Sequence, residues 1–422
     1  MNEADARRFF TALFDAAVAA ADPNLTIRDH LPAKPKGRTI VIGAGKGSAQ
    51  MAQAFERVWD GPISGLVVTR YGYGAPCERI EVIEAAHPVP DEAGLAGAKR
   101  LFDTVRGLTE DDLVIALISG GGSALLPSPA GDLMLADEIA VNKALLASGA
   151  PIAAMNTVRK HVSAIKGGRL AAAAFPARVV SLVVSDIPGD QPSLVSSGPT
   201  VPDAATRADA LAIIEAYRID LPNIVMRHLN SPAADAPAPD DPVFSRNEVR
   251  VIASAAQSLE AAATVARKAG IEAVILSDAI EGEAREIGKV HAAIAREVAI
   301  RDRPFRKPVV ILSGGETTVT LRGQGGRGGR NSEFLLSLAI GIEGVDNIRA
   351  FAADTDGIDG SEKNAGAFAD WASCGRLRAQ GFDPKALLNA NDAWGAFDAL
   401  RDLFQPGPTG TNVNDLRAIL VT

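Results

Sequence analysis

The stretch Thr39-Ile40-Val41-Ile42-Gly43-Ala44-Gly45-Lys46-Gly47-Ser48 decides how this chain is read. Its first four residues are β-branched, which suits a strand buried on both faces. The glycines that follow suit a tight turn, and residues 49–59 then place Met51, Phe55 and Val58 at helical spacing. Strand, glycine turn and helix in that order open a doubly wound α/β sheet, with the turn at a strand's carboxyl end, where such sheets bind ligands. Backbone N–H groups in the turn, the positive end of the helix and the Lys46 ammonium together favour an anion, phosphate above all. The turn is not a Walker A loop, and Ser48 stands where a dinucleotide fingerprint has its last glycine.

The same rhythm runs outward. Upstream, residues 4–21 read as an amphipathic helix with Phe9, Leu13 and Ala17 on one face, stopped by Pro23. Downstream, residues 66–69, 113–118, 179–184, 249–253, 273–276, 309–312, 348–353 and 418–421 read as apolar strands separated by helices. Strands that alternate with helices imply a mostly parallel sheet. Residues 231–242, rich in Pro, Ala and Asp without apolar periodicity, read as a linker or a long surface loop. A chain of 422 residues exceeds one ordinary core, so two domains are expected, residues 1–237 and 243–422.

Bulk composition removes several function classes. A net charge of −8 supplies no positive field for nucleic acid. Two cysteines, Cys77 and Cys374, make neither a disulfide framework nor a thiolate zinc site, and the five histidines show no metal-ligand spacing. Protein ligands for a metal would then be carboxylates, which suit magnesium. Residues 1–15 mix acids with arginines and lack the apolar core of a signal peptide, and no apolar run is long enough to span a bilayer. The location expected is the cytoplasm, with no membrane partner; assembly of identical copies stays open.

Several loops at strand ends carry chemistry. Ser119, Gly120, Gly121, Gly122 and Ser123 can form an anion-holding nest of successive amides, the bland alternative being a flexible strand exit. Asp186 and Asp190 bracket Ile-Pro-Gly and can bind magnesium or take a proton, or simply build a turn. The same holds for Asp356 and Asp359. Residues 323–331 are glycine-dense, with Arg322, Arg327 and Arg330 within or beside them, which suits a clamp for carboxylate or phosphate. Asn331 or Ser332 would cap the helix that follows. His87, alone in a proline-rich turn, reads first as structural. Lys160, His161, Lys166 and Arg169 form a basic cluster, either a solvated helical face or a pocket for a substrate carboxylate.

Taken in order, GAGKGSAQMA, HPVPDEAG, SGGGSALL, RKHVSAIKGGRLA, SDIPGDQPSLVSSGPTVPD, EGEAR, LSGGETTV, GGRGGRNSE, DTDGIDG and GPTGTNVNDL resemble the glycerate 2-kinases that carry a C-terminal MOFRL domain, some of which have been labelled hydroxypyruvate reductases. The resemblance covers nearly the whole chain. It implies a Rossmann-like N-terminal domain and a smaller α/β C-terminal domain with its MOFRL region at about 305–416, the active site lying in the cleft between them. It implies ATP- and magnesium-dependent phosphorylation of D-glycerate at its 2-hydroxyl. On that reading Lys46, Arg330, Asp186 and Asp190 are catalytic. Gly45, Gly47, Ser48, residues 119–123, His87, Lys160, Gly314, Glu316 and Asn412 contact substrate or nucleotide, and Asp190 and Asp356 hold the metal. One departure, Ala253-Ser254-Ala255 where many relatives place an asparagine, bears on a single polar contact. Two other readings compete. An NAD(P)H-dependent hydroxypyruvate reductase would use the Gly43-Ala44-Gly45 turn, with Arg70 near an NADP phosphate. A non-catalytic hydroxy-acid-binding module would bind without turnover.

Overall fold

The β-branched runs form strands in the computed structural model of the protein, which describes residues 1–187, 189–321 and 326–422. The chain divides into two compact units, Pro23–Ile252 and Met1–Asp22 with Ala253–Thr422.

The first unit is built on β1 (Thr39–Ala44), β2 (Ser64–Arg70), β3 (Ile80–Ala85), β4 (Leu113–Ile118), β5 (Arg178–Val184) and β6 (Glu248–Ala253), in the order β3-β2-β1-β4-β5-β6. β1 runs parallel to both β2 and β4, β2 to β3, and β4 to β5. β1 and β4 are buried along their whole length, as apolar runs at the middle of a doubly covered sheet must be. Ile40, Ile42, Val114 and Ile118 pack with Leu101 and Val105 from the helix Glu92–Val105 and with Leu170 and Ala174 from the helix Arg169–Ala174. Strand order reverses between β1 and β4, so the loops leaving these two strands, 45–48 and 119–123, share the switch point of the sheet. Of the two readings of residues 231–242, the structure takes the loop and not the linker. These residues fold into the first unit through two short 3-10 turns, with Phe244 buried and Arg169 donating to the carbonyls of Ala234 and Asp235. The division of the chain falls after Ile252 instead.

The second unit contains β7 (Glu272–Ile275), β8 (Gly282–Glu283), β9 (Val309–Ser313), β10 (Thr317–Thr318), β11 (Ile348–Asp354), β12 (Gly366–Asp370), β13 (Leu403–Phe404) and β14 (Asp415–Val421). Its main sheet has the order β13-β12-β11-β14-β9-β7. Only β7 and β9 pair in parallel there. β14 lies antiparallel between β9 and β11, and β12 and β13 continue antiparallel. The expectation of a mostly parallel sheet therefore fails in this unit. A buried apolar run looks the same whichever way the strand points, so the run near the end of the chain carries no sign that it enters the sheet's centre reversed. Alternation along the strands feeds two cores. Val310 and Leu312 face Leu259 and Ala263, while Val309 and Ile311 face Ala295, Phe334 and Leu338.

The helix α1 (Glu3–Ala19) joins the first of these cores. Phe9, Phe10, Leu13, Phe14 and Ala17 are buried, and Phe10 stacks on Phe351 of β11 at 5.8 Å. Its amphipathic stripe is as the spacing predicts, but it groups with the second unit and not with residues 23–252. No helix among the described residues is long and apolar enough to cross a membrane.

Candidate active site

In the first unit the two switch-point loops are stitched to each other. Gly45 N–H donates to the Val68 carbonyl (3.1 Å), Lys46 N–H to the Gly120 carbonyl (2.8 Å) and Ser48 N–H to the Gly45 carbonyl (3.2 Å). Gly47 N–H donates to Ser119 Oγ (3.0 Å), and the Ser48 hydroxyl to the Leu117 carbonyl (2.9 Å). Gly45 has φ 138°, and a side chain there would collide with Ser119, so glycine is required. The amides of Gly45, Lys46, Gly47 and Ser48, which the sequence reading offers to phosphate, thus already have acceptors. What this turn presents to a ligand is the Lys46 side chain.

The second loop is different. Ser119 N–H donates to the Ala44 carbonyl (3.1 Å), and Gly122 N–H to Ser196 Oγ (3.0 Å). Among the described residues, the amides of Gly120, Gly121 and Ser123 have no acceptor. Three side chains close around them. A Cβ on Gly120 would overlap the Asp186 carboxylate, and one on Gly121, which has φ 83°, would lie 3.1 Å from Lys46 Cγ and 3.2 Å from His87 Nε2. The structure therefore brings Lys46, His87, Asp186 and the 119–123 loop together. Asp190 is half-buried with φ 50°, and the described contacts do not draw it into this cluster; Pro188 of the same loop lies outside the described residues. Arg70 lies over the Tyr73 ring, 4.3 Å from its centroid.

His87 is half-buried and makes no hydrogen bond among the described residues. Burial, with Lys46 and Arg70 nearby, pulls its imidazole from 6.5 down to about 4, so it is neutral at pH 7. The unfolded chain then binds the extra proton first. Stability is full above about pH 6.5 and declines as pH falls toward 4, because protonation favours the unfolded chain in that window. Melting temperatures recorded from pH 7 to pH 4 should fall less steeply for His87→Gln than for the parent. Parallel descents would contradict a buried neutral His87.

The basic cluster is not a solvated helical face, because Lys160, His161 and Lys166 are buried. Lys160 is buried and ion-paired with Asp203, and Lys166 is buried and paired with Glu138 at 2.5 Å. Arg169 donates to four carbonyls, those of Lys160, Lys166, Ala234 and Asp235. His161 lies between the carbonyls of Ala234 and Ala205. These groups hold the helix Ile152–His161 and its neighbours in place, and the acids that pair with them are too distant in sequence for a local motif to disclose.

In the second unit Arg330 is the first residue of the helix Arg330–Ile342 and is gripped by three carboxylates. Its Nε donates to Asp415 Oδ1 (2.8 Å), Nη2 to Asp354 Oδ2 (2.6 Å) and Nη1 to Glu316 Oε1 (3.1 Å). Asp415 also accepts from Asn331 Nδ2 (2.7 Å) and Arg417 Nη2 (2.5 Å), and Arg417 reaches on to the Gly314 carbonyl (2.9 Å). Asp415, Asp354 and Arg417 are buried, while Glu316 is exposed. Burial pushes the Asp415 carboxyl up, but Arg330 and Arg417 outweigh it and hold it below the usual carboxylate range. Asp354, desolvated and with Asp356 and Asp415 close by, is pushed well above that range despite Arg330. Two edges of the guanidinium are thus fixed from beneath. The Glu316 edge is the one for which an incoming anion can compete.

Other expected site residues make contacts within this unit. The Gly314 amide donates to the Ser277 carbonyl (2.8 Å), and Asn412 Oδ1 accepts from Asn414 N–H (3.1 Å). Asp359 accepts from the Asn331 and Ser332 amides (2.9 and 2.8 Å), capping the helix from another loop. That replaces the cap expected from Asn331 or Ser332 themselves. Asp356 is half-buried, with Oδ1 accepting from Ile358 N–H (2.8 Å). Arg327 lies over the Trp394 ring at 3.9 Å, and Arg322 with residues 323–325 lies outside the described residues. No group of three or more His, Cys, Asp or Glu residues able to hold a metal ion occurs among the described residues. Asp190 lies in the first unit, and Asp356 lies in the second beside Asp354. Magnesium bound through substrate phosphates and waters asks for only one or two protein carboxylates.

Comparison with known proteins also gives two regions, the first of which takes in part of α1. Residues 9–230 match a domain of unknown function, DUF4147, and residues 309–415 match the MOFRL family. A D-glycerate 2-kinase of Thermotoga maritima is 40% identical over 402 residues, covering 95% of this chain and 94% of that protein. A protein of Agrobacterium vitis with a provisional hydroxypyruvate reductase name is 53% identical over 426 residues, covering 100% of this chain and 95% of that one. The crystal structure of glycerate kinase from Thermotoga maritima matches with a TM-score of 0.89 at 37% identity, over 99% of this chain and 100% of that one.

Proposed function

The chain belongs to the glycerate 2-kinase family that joins a DUF4147 region to a MOFRL region, and from that membership we propose that it transfers the terminal phosphoryl group of ATP to the 2-hydroxyl of D-glycerate. The products are 2-phosphoglycerate and ADP. The observation that carries this reading is the placing of Lys46 beside three unengaged amides at the switch point of the first sheet. Phosphoryl transfer needs positioning and charge neutralisation more than covalent help. The amides of Gly120, Gly121 and Ser123 are suited to phosphate oxygens, and Lys46 neutralises charge as it gathers on them. Asp186, against Gly120, orients the glycerate hydroxyl and takes its proton as the new P–O bond forms and the bond to the leaving ADP oxygen breaks. Arg330 offers its Glu316 edge to an anionic group of substrate or nucleotide. A magnesium ion, when bound with ATP, would supply further neutralisation, and Asp190 in the first unit and Asp356 in the second are, each by itself, the carboxylates we assign as candidates to hold it. A cytoplasmic location, where ATP is available, accompanies this reading.

The reductase reading asks a pyrophosphate to sit on the 45–48 turn, whose amides are engaged within the fold. An assay with D-glycerate, ATP and magnesium decides between the two. Release of ADP, with a product that enolase consumes directly, supports the kinase and the 2-position. Oxidation of NADH by hydroxypyruvate without ATP turnover would replace it with the reductase. A product that enolase takes only after mutase is added would move the phosphoryl group to the 3-position.

The carboxylate of glycerate does not need Lys160 on this reading. Lys160→Met should lower stability by about 3 kcal/mol, since Asp203 loses its buried partner. KM for D-glycerate should stay unchanged. A tenfold or larger rise in KM with native stability would return Lys160 to the substrate.

A further inference from the structure

Residues 196–198 hold an unusual backbone. Ser196 (φ 53°), Ser197 (φ 59°) and Gly198 (φ 58°) are consecutive left-handed residues, and only the last is glycine. This region is unfavourable for L-residues because Cβ crowds the carbonyl, and asparagine or aspartate tolerates it better than serine. All three residues are buried. The twist lays both hydroxyls against the glycine loop. Ser196 Oγ accepts from Gly122 N–H at 3.0 Å and donates to the Ser119 carbonyl at 2.6 Å. Ser197 Oγ lies 2.7 Å from Ser123 Oγ and donates to Asn156 Oδ1 at 3.2 Å. Asn156 is held in turn by Arg159 (3.1 Å), and the Ser197 and Gly198 carbonyls accept from the Gly167 and Gly168 amides (3.1 and 2.7 Å).

The chemistry of that arrangement is specific. Three successive glycines leave the loop many backbone states, only some of which present amides to an anion. The Ser196 hydroxyl bridges the loop from the Ser119 carbonyl to the Gly122 amide, and the amides it leaves without acceptors among the described residues are those of Gly120, Gly121 and Ser123. A glycine at 196 would adopt the same φ without strain, but it would have no hydroxyl to offer. Strain kept in a buried segment beside a ligand loop points from the outlier to a function.

We propose that Ser196 and Ser197 are positioning residues of the transfer reaction, whose strained backbone and hydroxyls lock the 119–123 loop as a preformed cradle for phosphate oxygens beside Lys46. The proposal rests on the kinase reading for its activity test and on phosphate recognition alone for its binding test. Ser196→Ala, Ser196→Gly and Ser197→Ala are made in the full chain. Measured are kcat, the KM for ATP and for D-glycerate, ADP affinity by calorimetry, and melting temperature. Ser196→Ala and Ser196→Gly should both lose roughly tenfold or more in kcat/KM, as misplaced reacting groups do, and both should bind ADP more weakly. Ser196→Gly should nevertheless melt higher than Ser196→Ala, because it discards the left-handed strain. Activity and stability then part company, which a merely structural role does not allow. Activity that recovers in Ser196→Gly in step with melting temperature would overturn the proposal, as would native kcat/KM and ADP affinity in both variants. Should neither Ser196 variant fold, Ser197→Ala is decided by the same pair of readouts. A parent protein that never phosphorylates glycerate, yet binds ADP in a Ser196-dependent way, would sink the substrate reading and leave the cradle standing.

Discussion

Lys46→Ala will lower kcat by on the order of 100-fold or more, the scale seen when one preorganised charge contact to a transition state is removed. The fold should survive, because Lys46 is half-exposed and makes no ion pair among the described residues. Its work lies in the Lys46 ammonium beside the loop, since the amides of its own turn are engaged within the fold, those of Lys46 and Gly47 on the 119–123 loop. Lys46→Arg should not restore the rate. The lysine's stem lies 3.1 Å from the position a Cβ would take on Gly121, and a planar fork cannot replace a compact ammonium in so close a fit. Steady-state kinetics with saturating ATP and D-glycerate read the effect directly. A Lys46→Ala protein with unchanged kcat would remove Lys46 from the mechanism, and a parent with no turnover to lose would favour a binding module.

Arg330→Met carries the second large effect, and it strikes stability and activity together. The guanidinium pairs with Asp415 and Asp354, both buried, and its removal leaves Asp354 with no cationic partner among the described residues, so its carboxyl, already pushed well above the usual range, takes up a proton. Protonation of Asp354 keeps the loss below the roughly 3 to 5 kcal/mol of a buried charge left unpaired. Asp415 keeps Arg417, which limits the damage to one carboxylate. Denaturant midpoints should show that loss, and kcat/KM measured well below the melting temperature should fall as well. Arg330→Lys should recover little of either, because one ammonium cannot meet three carboxylates from three sides. A variant with native stability would show that Asp354 is held by its other neighbours, and native kcat/KM would show that the Glu316 edge meets no anion.

Much of the first unit is legible because its central strands are buried on both faces. β1 and β4 consist almost wholly of apolar residues, and the glycine runs that follow them mark the switch point. β3 escapes notice because Glu81 and Glu84 interrupt its apolar residues, as an edge strand permits. β12 escapes because alanine and glycine, not β-branched residues, fill it. Lys46 and Arg330 can be picked out as candidates because a charge inside a glycine-rich loop has few bland explanations, whereas Asp186 alone could equally build a turn. The partners that decide their environment cannot. Nothing in Asp203 or Glu138 announces the lysine it pairs with, so the basic cluster looks like a pocket until its ion pairs are seen. Ser196 and Ser197 look like ordinary loop serines. The only local hint is that they precede Gly198, and a glycine does not reveal that the two residues before it share its handedness.

The helix α1 has a further consequence, for the order of events in folding. The second unit is assembled from two stretches of chain separated by the whole of the first unit. Phe10 and Phe14 are synthesised early, while Phe351 and Phe404, against which they pack, come more than three hundred residues later. In the interval the helix has no partner for its aromatic stripe, and the first unit can already be complete. Docking of α1 is therefore a late, long-range closure, slow in the way that contacts between distant parts of a chain are slow. A nascent chain that stalls before β11 would display those phenylalanines to whatever surrounds it.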